Sequence, residues 1–418
     1  MNDTNLPAVL GGPRAIASPL TARRSFGAEE KAAVDALFDE AIRTGNAIGY
    51  NGEQEEAFCR EFSEYMGGGY ADAVNSGTGA VYAALKALEI EPFSEVIVGA
   101  INDPGGIMPI PLIGCIPVIA DTAKDSYNSC VGTYEPLITP LTRAIIVQHI
   151  GGEPADIDEI VRMADTHGIP VIEDCSQSHH AMVNGKKVGT FGAIAVQSTM
   201  FGKHFNSGGQ GGLLYTRSEE LYWKIRRSAD RGKPFGLPAE STNCLASLNL
   251  NSSEISAAIG RQQLRKLPQI AEGRRAAASM IARGLRDIPS INVPAYGGNK
   301  YNTYWWWRLE VNAGTISCAK EEYCRALSEE GLPVTISYRS GLPHKMDWFV
   351  NRRAFAGSGF PWNAPQYKGR YAAEPFETPN AEAVLAVSFN LNIHESWGRD
   401  EADQIISAFR KIHNYYAK

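Results

Sequence analysis

Six short apolar runs recur through the first half of the chain, at residues 96–100, 116–121, 144–150, 170–174, 193–198 and 212–216. Between them lie stretches with helical spacing, such as residues 157–167. Runs of this length, apolar on both faces and separated by crossover helices, specify a mostly parallel sheet. The predicted class is therefore α/β. Ligands of such sheets gather beyond the carboxyl ends of the strands. Asp174 and Ser198 both fall at such ends, where a shared ligand would meet them.

At 418 residues the chain is too long for one small core, so two domains are the expectation. Residues 1–26 lack periodicity and carry Gly11-Gly12-Pro13, which reads as an extended arm. Residues 27–270 form the expected large α/β domain, opened by helices at 28–43 and 53–65. A long helix at 261–285 links it to a smaller α+β domain over 271–418. There the sequence predicts strands at 304–311 and 334–338, helices at 319–330 and 399–415, and a loop at 341–377.

The formal charge of −6 gives no reason to expect nucleic acid or an anionic membrane as a partner. No apolar run approaches the ~20 residues that cross a bilayer, and the N-terminus lacks the basic and apolar regions of a secretory signal. Seven cysteines, widely spaced and without a Cys-x-x-Cys pair, point to free thiols in a reducing compartment, with no disulfide framework and no zinc site. The expectation is a soluble cytoplasmic protein.

Lys203 follows Ser198 by five residues and precedes the run Gly208-Gly209-Gln210-Gly211-Gly212. A lysine forms a Schiff base with a carbonyl cofactor when its amine can lose a proton in a shaped pocket, and glycines let backbone approach a ligand closely. Taken alone, Lys203 also reads as a surface lysine beside a flexible loop. Upstream, Ser76-Gly77-Thr78 opens an Ala/Leu-rich helix to about Leu88. Such a start offers free N–H groups and a positive dipole end for a phosphate, although a plain N-cap has the same composition. Pyridoxal phosphate needs a lysine for its aldehyde, a carboxylate for its ring nitrogen and donors for its phosphate. Lys203, Asp174 and the loop at Ser76 are candidates for the three, and Ser198 for a further phosphate contact.

The chain resembles the DegT–StrS family of sugar aminotransferases, fold type I enzymes dependent on pyridoxal phosphate. The resemblance runs over nearly the whole length, through Gly49-Tyr50-Asn51-Gly52, Asn75-Ser76-Gly77-Thr78, Val147-Gln148-His149-Ile150-Gly151-Gly152, Ile172-Glu173-Asp174-Cys175-Ser176-Gln177 and residues 198–212. It implies that Lys203 binds the cofactor covalently, that Asp174 pairs with the ring nitrogen, and that Gln177 lies near the ring hydroxyl. Ser76, Gly77, Thr78 and Ser198 would hold the phosphate. Asn249 corresponds to an asparagine that reaches the phosphate of a neighbouring subunit, implying a homodimer with shared sites. The implied reaction moves an amino group from glutamate or glutamine to a keto sugar or keto-cyclitol, through the pyridoxamine form of the cofactor. Residues 8–12 resemble the arm of cyclitol-type members.

Three departures from the family pattern stand out. The glycine run begins one residue late, so counting back from it places His204 at the lysine position, as in the family's dehydratases. Counting forward from Ser198 places Lys203 there, and a Gly-rich loop absorbs an extra residue more readily than a strand end does. The segment where the family carries a ring-stacking aromatic reads Ile101-Asn102-Asp103-Pro104-Gly105-Gly106, and an expected arginine is Asn251. A deoxy-keto-sugar dehydratase using His204, and a non-enzymatic regulator that has kept the fold, are the alternatives.

Among other residues, His149 is open between substrate contact and a structural role. The adjacent His179 and His180 are poorly placed for one metal ion. Tyr304-Trp305-Trp306-Trp307 could line a sugar pocket, with at least half of the run expected in core or interface packing. Arg226 and Arg227 read as a solvated helix face, with a place at a dimer seam as the other option.

Overall fold

A computed structural model describes residues 5–372 and 375–418; residues 1–4 of the arm and 373–374 of the predicted loop lie outside the described residues. In chain order the strands are Tyr70–Val74 (β1), Glu95–Gly99 (β2), Ile116–Ala120 (β3), Thr142–Gln148 (β4), Val171–Asp174 (β5), Met182–Val183 (β6), Lys186–Lys187 (β7), Ile194–Ser198 (β8) and Gly212–Thr216 (β9). Six of them are the predicted apolar runs. A seven-stranded sheet has the order β1-β9-β8-β5-β4-β2-β3, and within it only β9 runs against the rest. Its side chains alternate as a pleated sheet requires. Ile97, Ile145, Val147 and Ala195 enter the core on one face, and Val96, Val98, Ile146, Ile172 and Val196 enter the other.

β1 is a strand that the six apolar runs do not include. Tyr70-Ala71-Asp72-Ala73-Val74 has little branched apolar content, and its centre is a carboxylate. Asp72 is nonetheless buried, and it faces the Arg226 guanidinium at 3.4 Å. Arg226 is thereby drawn off the solvated helix face expected of it. Burial pushes the Asp72 carboxyl up to about 6 against the pull of that arginine.

A second sheet joins Ile291–Asn292 (β10), Trp307–Val311 (β12), Ser388–Leu391 (β14) and Val334–Thr335 (β13), in that order and all antiparallel. Lys300–Tyr301 (β11) pairs with β6 in a small third sheet. Helices Lys320–Glu329 and Arg399–Tyr416 cover the second sheet around Trp307, Leu309, Phe389 and Phe409.

The long helix spans Glu254–Leu285 and starts earlier than predicted, because the Ser253 hydroxyl caps it by accepting the Ser256 N–H. Ala257, Leu264 and Leu267 belong to the large-sheet core, while Ala277, Ala278, Ile281 and Leu285 belong to the small-sheet core. Pro268 sits between the two sets. The predicted boundary at residue 270 therefore falls inside one helix that serves both units. Nor do residues 271–418 all join the small sheet. Tyr338, Phe349, Ala381 and Val384 pack on one face of the large sheet, and Trp362, Tyr367 and Tyr371 on the other. No helix among the described residues is long and apolar enough to cross a membrane.

The start of the long helix also fastens its neighbour. The Glu254 carboxylate accepts N–H bonds from Gly52 (3.2 Å), Gln54 (2.9 Å) and Glu55 (3.0 Å). These are orphan donors at the N-terminus of helix Glu53–Met66. Glu254→Ala should lower stability by about 2–4 kcal/mol, seen as a lower urea midpoint at constant m. A change below about 0.5 kcal/mol would show that the carboxylate anchors nothing.

Candidate active site

β1, β2, β5 and β8 end on the same side of the sheet, and the turns that follow them enclose a cavity of about 250 Å³. Its walls include Ser76, Gly77, Thr78, Asp174, Gln177, Ser198 and Lys203. Asn249 is not among them: it is exposed, and its Oδ1 accepts the Asn251 amide at 2.6 Å.

One end of the cavity is a helix start. Ser76 caps helix Gly77–Ala87, its Oγ accepting the Gly79 N–H at 3.0 Å. A Cβ at Gly77 would stand 2.6 Å from the Ser198 Cβ, and one at Gly105 would stand 2.3 Å from the Thr78 hydroxyl oxygen. Glycine at 77 lets its backbone close on Ser198, and glycine at 105 leaves room for the Thr78 hydroxyl. The positive end of the helix and two hydroxyls, Thr78 and Ser198, consequently face the same space.

The other end carries charge. Asp174 is 9% exposed, and its Oδ1 accepts the Ser176 N–H at 3.0 Å. Burial pushes its carboxyl up, with Ser176 and Lys203 pulling the other way. Gln177 is pinned from both sides: Oε1 accepts the Gly151 N–H (3.0 Å) and Nε2 donates to the Tyr338 hydroxyl (2.8 Å).

Lys203 is 6% exposed. Burial lowers its amine to about 8, against the opposing pull of Asp174 and Asp103. Its Nζ lies 3.4 Å from the centroid of the Trp305 ring. The loop that carries it folds back on itself, with the Thr199 N–H donating to Gly211 O and the Phe201 N–H to Gly209 O, and it turns at Gly208 with φ of 97°.

His204 points elsewhere. Its Nε2 donates to Thr303 O (3.0 Å), and its Nδ1 lies 3.3 Å from Nδ1 of His179. Burial holds it neutral, well below the usual histidine range, and it does not line the cavity. Of the two residues that the two counts pick out, Lys203 lines the cavity and His204 does not. His149, His179 and His180 turn to partners within the protein. His149 is fully buried against Glu173 (3.3 Å), and its Nδ1 accepts the Ala155 N–H. With Cys175 these two bring ligand-type atoms within 4.8 Å of one another, but the Glu173 carboxylate is already bound by the N–H groups of Gly189, Phe191 and Gly192. His179 turns to His204, whereas His180 turns to the Tyr65 hydroxyl.

Two residues at the site have contacts that the sequence reading does not assign. Asp103 lines the cavity where the family pattern calls for an aromatic, and its carboxylate accepts the Ser340 hydroxyl at 3.4 Å. Trp305 supplies the ring that meets the lysine. Within the aromatic run, Trp307 is core and Trp306 packs on Tyr338, so only the chain's tertiary path could single out Trp305. An amine and a carboxylate facing one cavity, beside a glycine-lined helix start, match the donor set that pyridoxal phosphate requires.

Residues 28–361 match the DegT/DnrJ/EryC1/StrS aminotransferase family. The chain is 32% identical over 289 residues to the UDP-N-acetyl-3-dehydro-alpha-D-glucosamine 3-aminotransferase of Acidithiobacillus ferrooxidans, covering 69% of this chain and 75% of that protein. It is 26% identical over 375 residues to the spore coat polysaccharide biosynthesis protein SpsC of Bacillus subtilis, covering 86% and 90%. Among solved structures, an aminotransferase from Psychrobacter cryohalolentis superposes with a TM-score of 0.81 at 25% identity, over 95% of this chain and 100% of that one. DesV of S. venezuelae superposes with a TM-score of 0.78 at 25% identity, over 95% and 99%. A fold of this type, the cavity at its strand ends and the match over most of the chain agree: the protein belongs to the DegT/DnrJ/EryC1/StrS aminotransferase family and is a pyridoxal-phosphate-dependent aminotransferase.

Proposed function

We propose that this enzyme moves an amino group from glutamate or glutamine to the ketone of a nucleotide-linked sugar, with Lys203 as the residue that holds pyridoxal phosphate. The reading is carried by the meeting of Lys203, Asp174 and the Ser76-Gly77-Thr78 helix start in one cavity. Pyridoxal phosphate supplies there an electron-withdrawing ring conjugated to an aldehyde. Lys203 Nζ would hold the cofactor at its aldehyde carbon, and the same amine, when free, would serve as the base that moves a proton at the donor carbon. Asp174 would hold the ring nitrogen and keep it protonated, and that cation would compensate a carboxylate whose burial otherwise favours its neutral form. Gln177, with its amide pinned between Gly151 and Tyr338, keeps a second N–H that would serve the ring hydroxyl. Ser76, Gly77, Thr78 and Ser198 would hold the phosphate at the positive helix end.

Asn249 acts in trans, reaching the phosphate of a second copy in a homodimer. Its exposure supports this, as does that of Leu248 (53%) beside it and of Tyr50 (44%). All seven cysteines stand free, which supports work in the reducing cytoplasm.

For the acceptor, relatives are named for UDP-, GDP- and dTDP-linked sugars, which favours a nucleotide-linked keto sugar over a cyclitol. The arm segment that resembles cyclitol-type members folds onto Glu330, whose carboxylate accepts the N–H groups of Ala8 (2.8 Å) and Ala15 (2.6 Å), away from the cavity. A panel of nucleotide-linked keto sugars, free keto sugars and keto-cyclitols, each with glutamate and glutamine, tests the proposal. The highest kcat/KM should fall on a nucleotide-linked ketone giving an aminated product. Amination confined to a cyclitol overturns the acceptor, and loss of a hydroxyl without amination overturns the reaction.

The amine attacks only in its neutral form. With burial lowering Lys203 to about 8, the rate of covalent uptake of pyridoxal phosphate should rise about tenfold per pH unit below that value and level off above it. Stopped-flow absorbance measures this, and a midpoint near the ordinary lysine value of about 10.4 would contradict a buried amine.

A further inference from the structure

We propose that Glu395 is a positioning residue for the cofactor lysine, fixing both halves of the Lys203–Trp305 contact through Arg23 and Arg274; this rests on Lys203 being the lysine that takes the cofactor. The two contact partners come from different parts of the fold. Lys203 sits on the turn after β8, and Trp305 lies just before β12 of the small sheet. Each is gripped by an arginine. Arg23, from the arm, donates from Nη1 to the carbonyl of Lys203 (2.8 Å) and from Nη2 to that of His204 (2.5 Å). Arg274, from the long helix, donates from Nη1 to the carbonyls of Tyr304 (2.8 Å) and Trp305 (3.0 Å).

Both guanidinium groups end on one carboxylate. Arg23 Nε donates to Glu395 Oε1 at 2.8 Å, and Arg274 Nε donates to Oε2 at 3.0 Å. Glu395 lies beyond β14, so arm, long helix, lysine loop and small sheet converge there. The pairs are shielded: the Arg274 side chain is 3% exposed and that of Glu395 14%. Charge-assisted bonds in such surroundings hold geometry tightly. The pull of the two arginines keeps the Glu395 carboxyl low even though burial opposes them. Trp305 Nε1 closes the circuit by donating to Gly202 O at 2.7 Å, tying the ring to the residue before the lysine. All four carbonyls held by the arginines belong to the lysine, the ring, or a residue next to one of them. A brace with a purely structural task has no reason to choose those four.

The test is the pH midpoint of covalent pyridoxal phosphate uptake, measured by absorbance on the full chain beside the thermal midpoint. The groups that face the Lys203 amine (Asp174, Asp103, His179 and the Trp305 ring) remain in every variant. Arg23→Lys keeps a cation for Glu395, but an ammonium cannot span two carbonyls as the guanidinium fork does. Glu395→Gln keeps the shape and removes the charge that both arginines share. In each, the lysine loosens, water reaches the amine, and the uptake midpoint moves up from about 8 by about one unit, so that uptake at pH 7 slows about tenfold. Arg14→Ala, on the same arm but paired only with the exposed Glu329, leaves the midpoint in place. Midpoints within about 0.2 units of the unaltered chain in both Arg23→Lys and Glu395→Gln overturn the proposal, whatever the thermal midpoints do. An unaltered chain that takes up no pyridoxal phosphate overturns the cofactor role of Lys203 instead.

Discussion

Lys203→Ala should give a folded chain that forms no covalent bond with pyridoxal phosphate and transaminates roughly 10⁴-fold more slowly. Two roles disappear with one amine, the bond to the aldehyde and the proton transfer that follows. The fold should survive, because the loop is closed by backbone bonds between Thr199 and Gly211 and between Phe201 and Gly209, not by the side chain. The variant also relieves the chain of burying an amine whose charged form is disfavoured there. Borohydride treatment separates the outcomes: the unaltered chain gains the mass of a reduced cofactor, and the variant does not. An adduct of the same mass on the variant would move the attachment to another lysine and undo the site.

Asp174→Asn should divide the effects differently. The amide keeps the volume and the hydrogen bond from Ser176 but no longer carries a charge. Attachment to Lys203 should persist while turnover falls by up to about a thousandfold. An adjacent opposite charge shifts a titrating group by about 1–3 units, or up to about 4 kcal/mol of preference for the protonated ring. The loss should appear in kcat more than in KM, because the ring must hold its proton most firmly as electrons move into it. If Asp174→Asn turns over within about threefold of the unaltered enzyme, Asp174 is not the partner of the ring nitrogen.

What could be read from the sequence follows from where each residue's neighbours come from. Asp174 and Ser198 end apolar runs, and Ser76 opens a helix, so local pattern plus the rule for parallel sheets brings them together. That Lys203 and not His204 lines the cavity follows the count from Ser198, because strand ends are fixed by a ladder of hydrogen bonds and a turn through Gly208 is not. Trp305, Asp103 and Arg23 could not be read in the same way. Their roles arise from contacts with parts of the chain far away in sequence, and such contacts leave no period and no spacing. β1 was hidden for a related reason: Asp72 looks like a loop residue until Arg226 is brought beside it. Pattern reading assigns the residues around 341–377 to a loop, yet Phe349, Trp362 and Tyr367 are anchored by aromatic packing onto the large sheet.

The helix Glu254–Leu285 is a single rod embedded at both ends, in one core through Leu264 and Leu267 and in another through Ala277 and Ile281. Any rocking of the small sheet against the large one has to bend that rod. The cheapest place to bend is the turn at Pro268, where the ring denies the helix one of its internal hydrogen bonds. Arg274 lies beyond that turn, so a flexion there would be transmitted to Trp305 and the lysine beneath it.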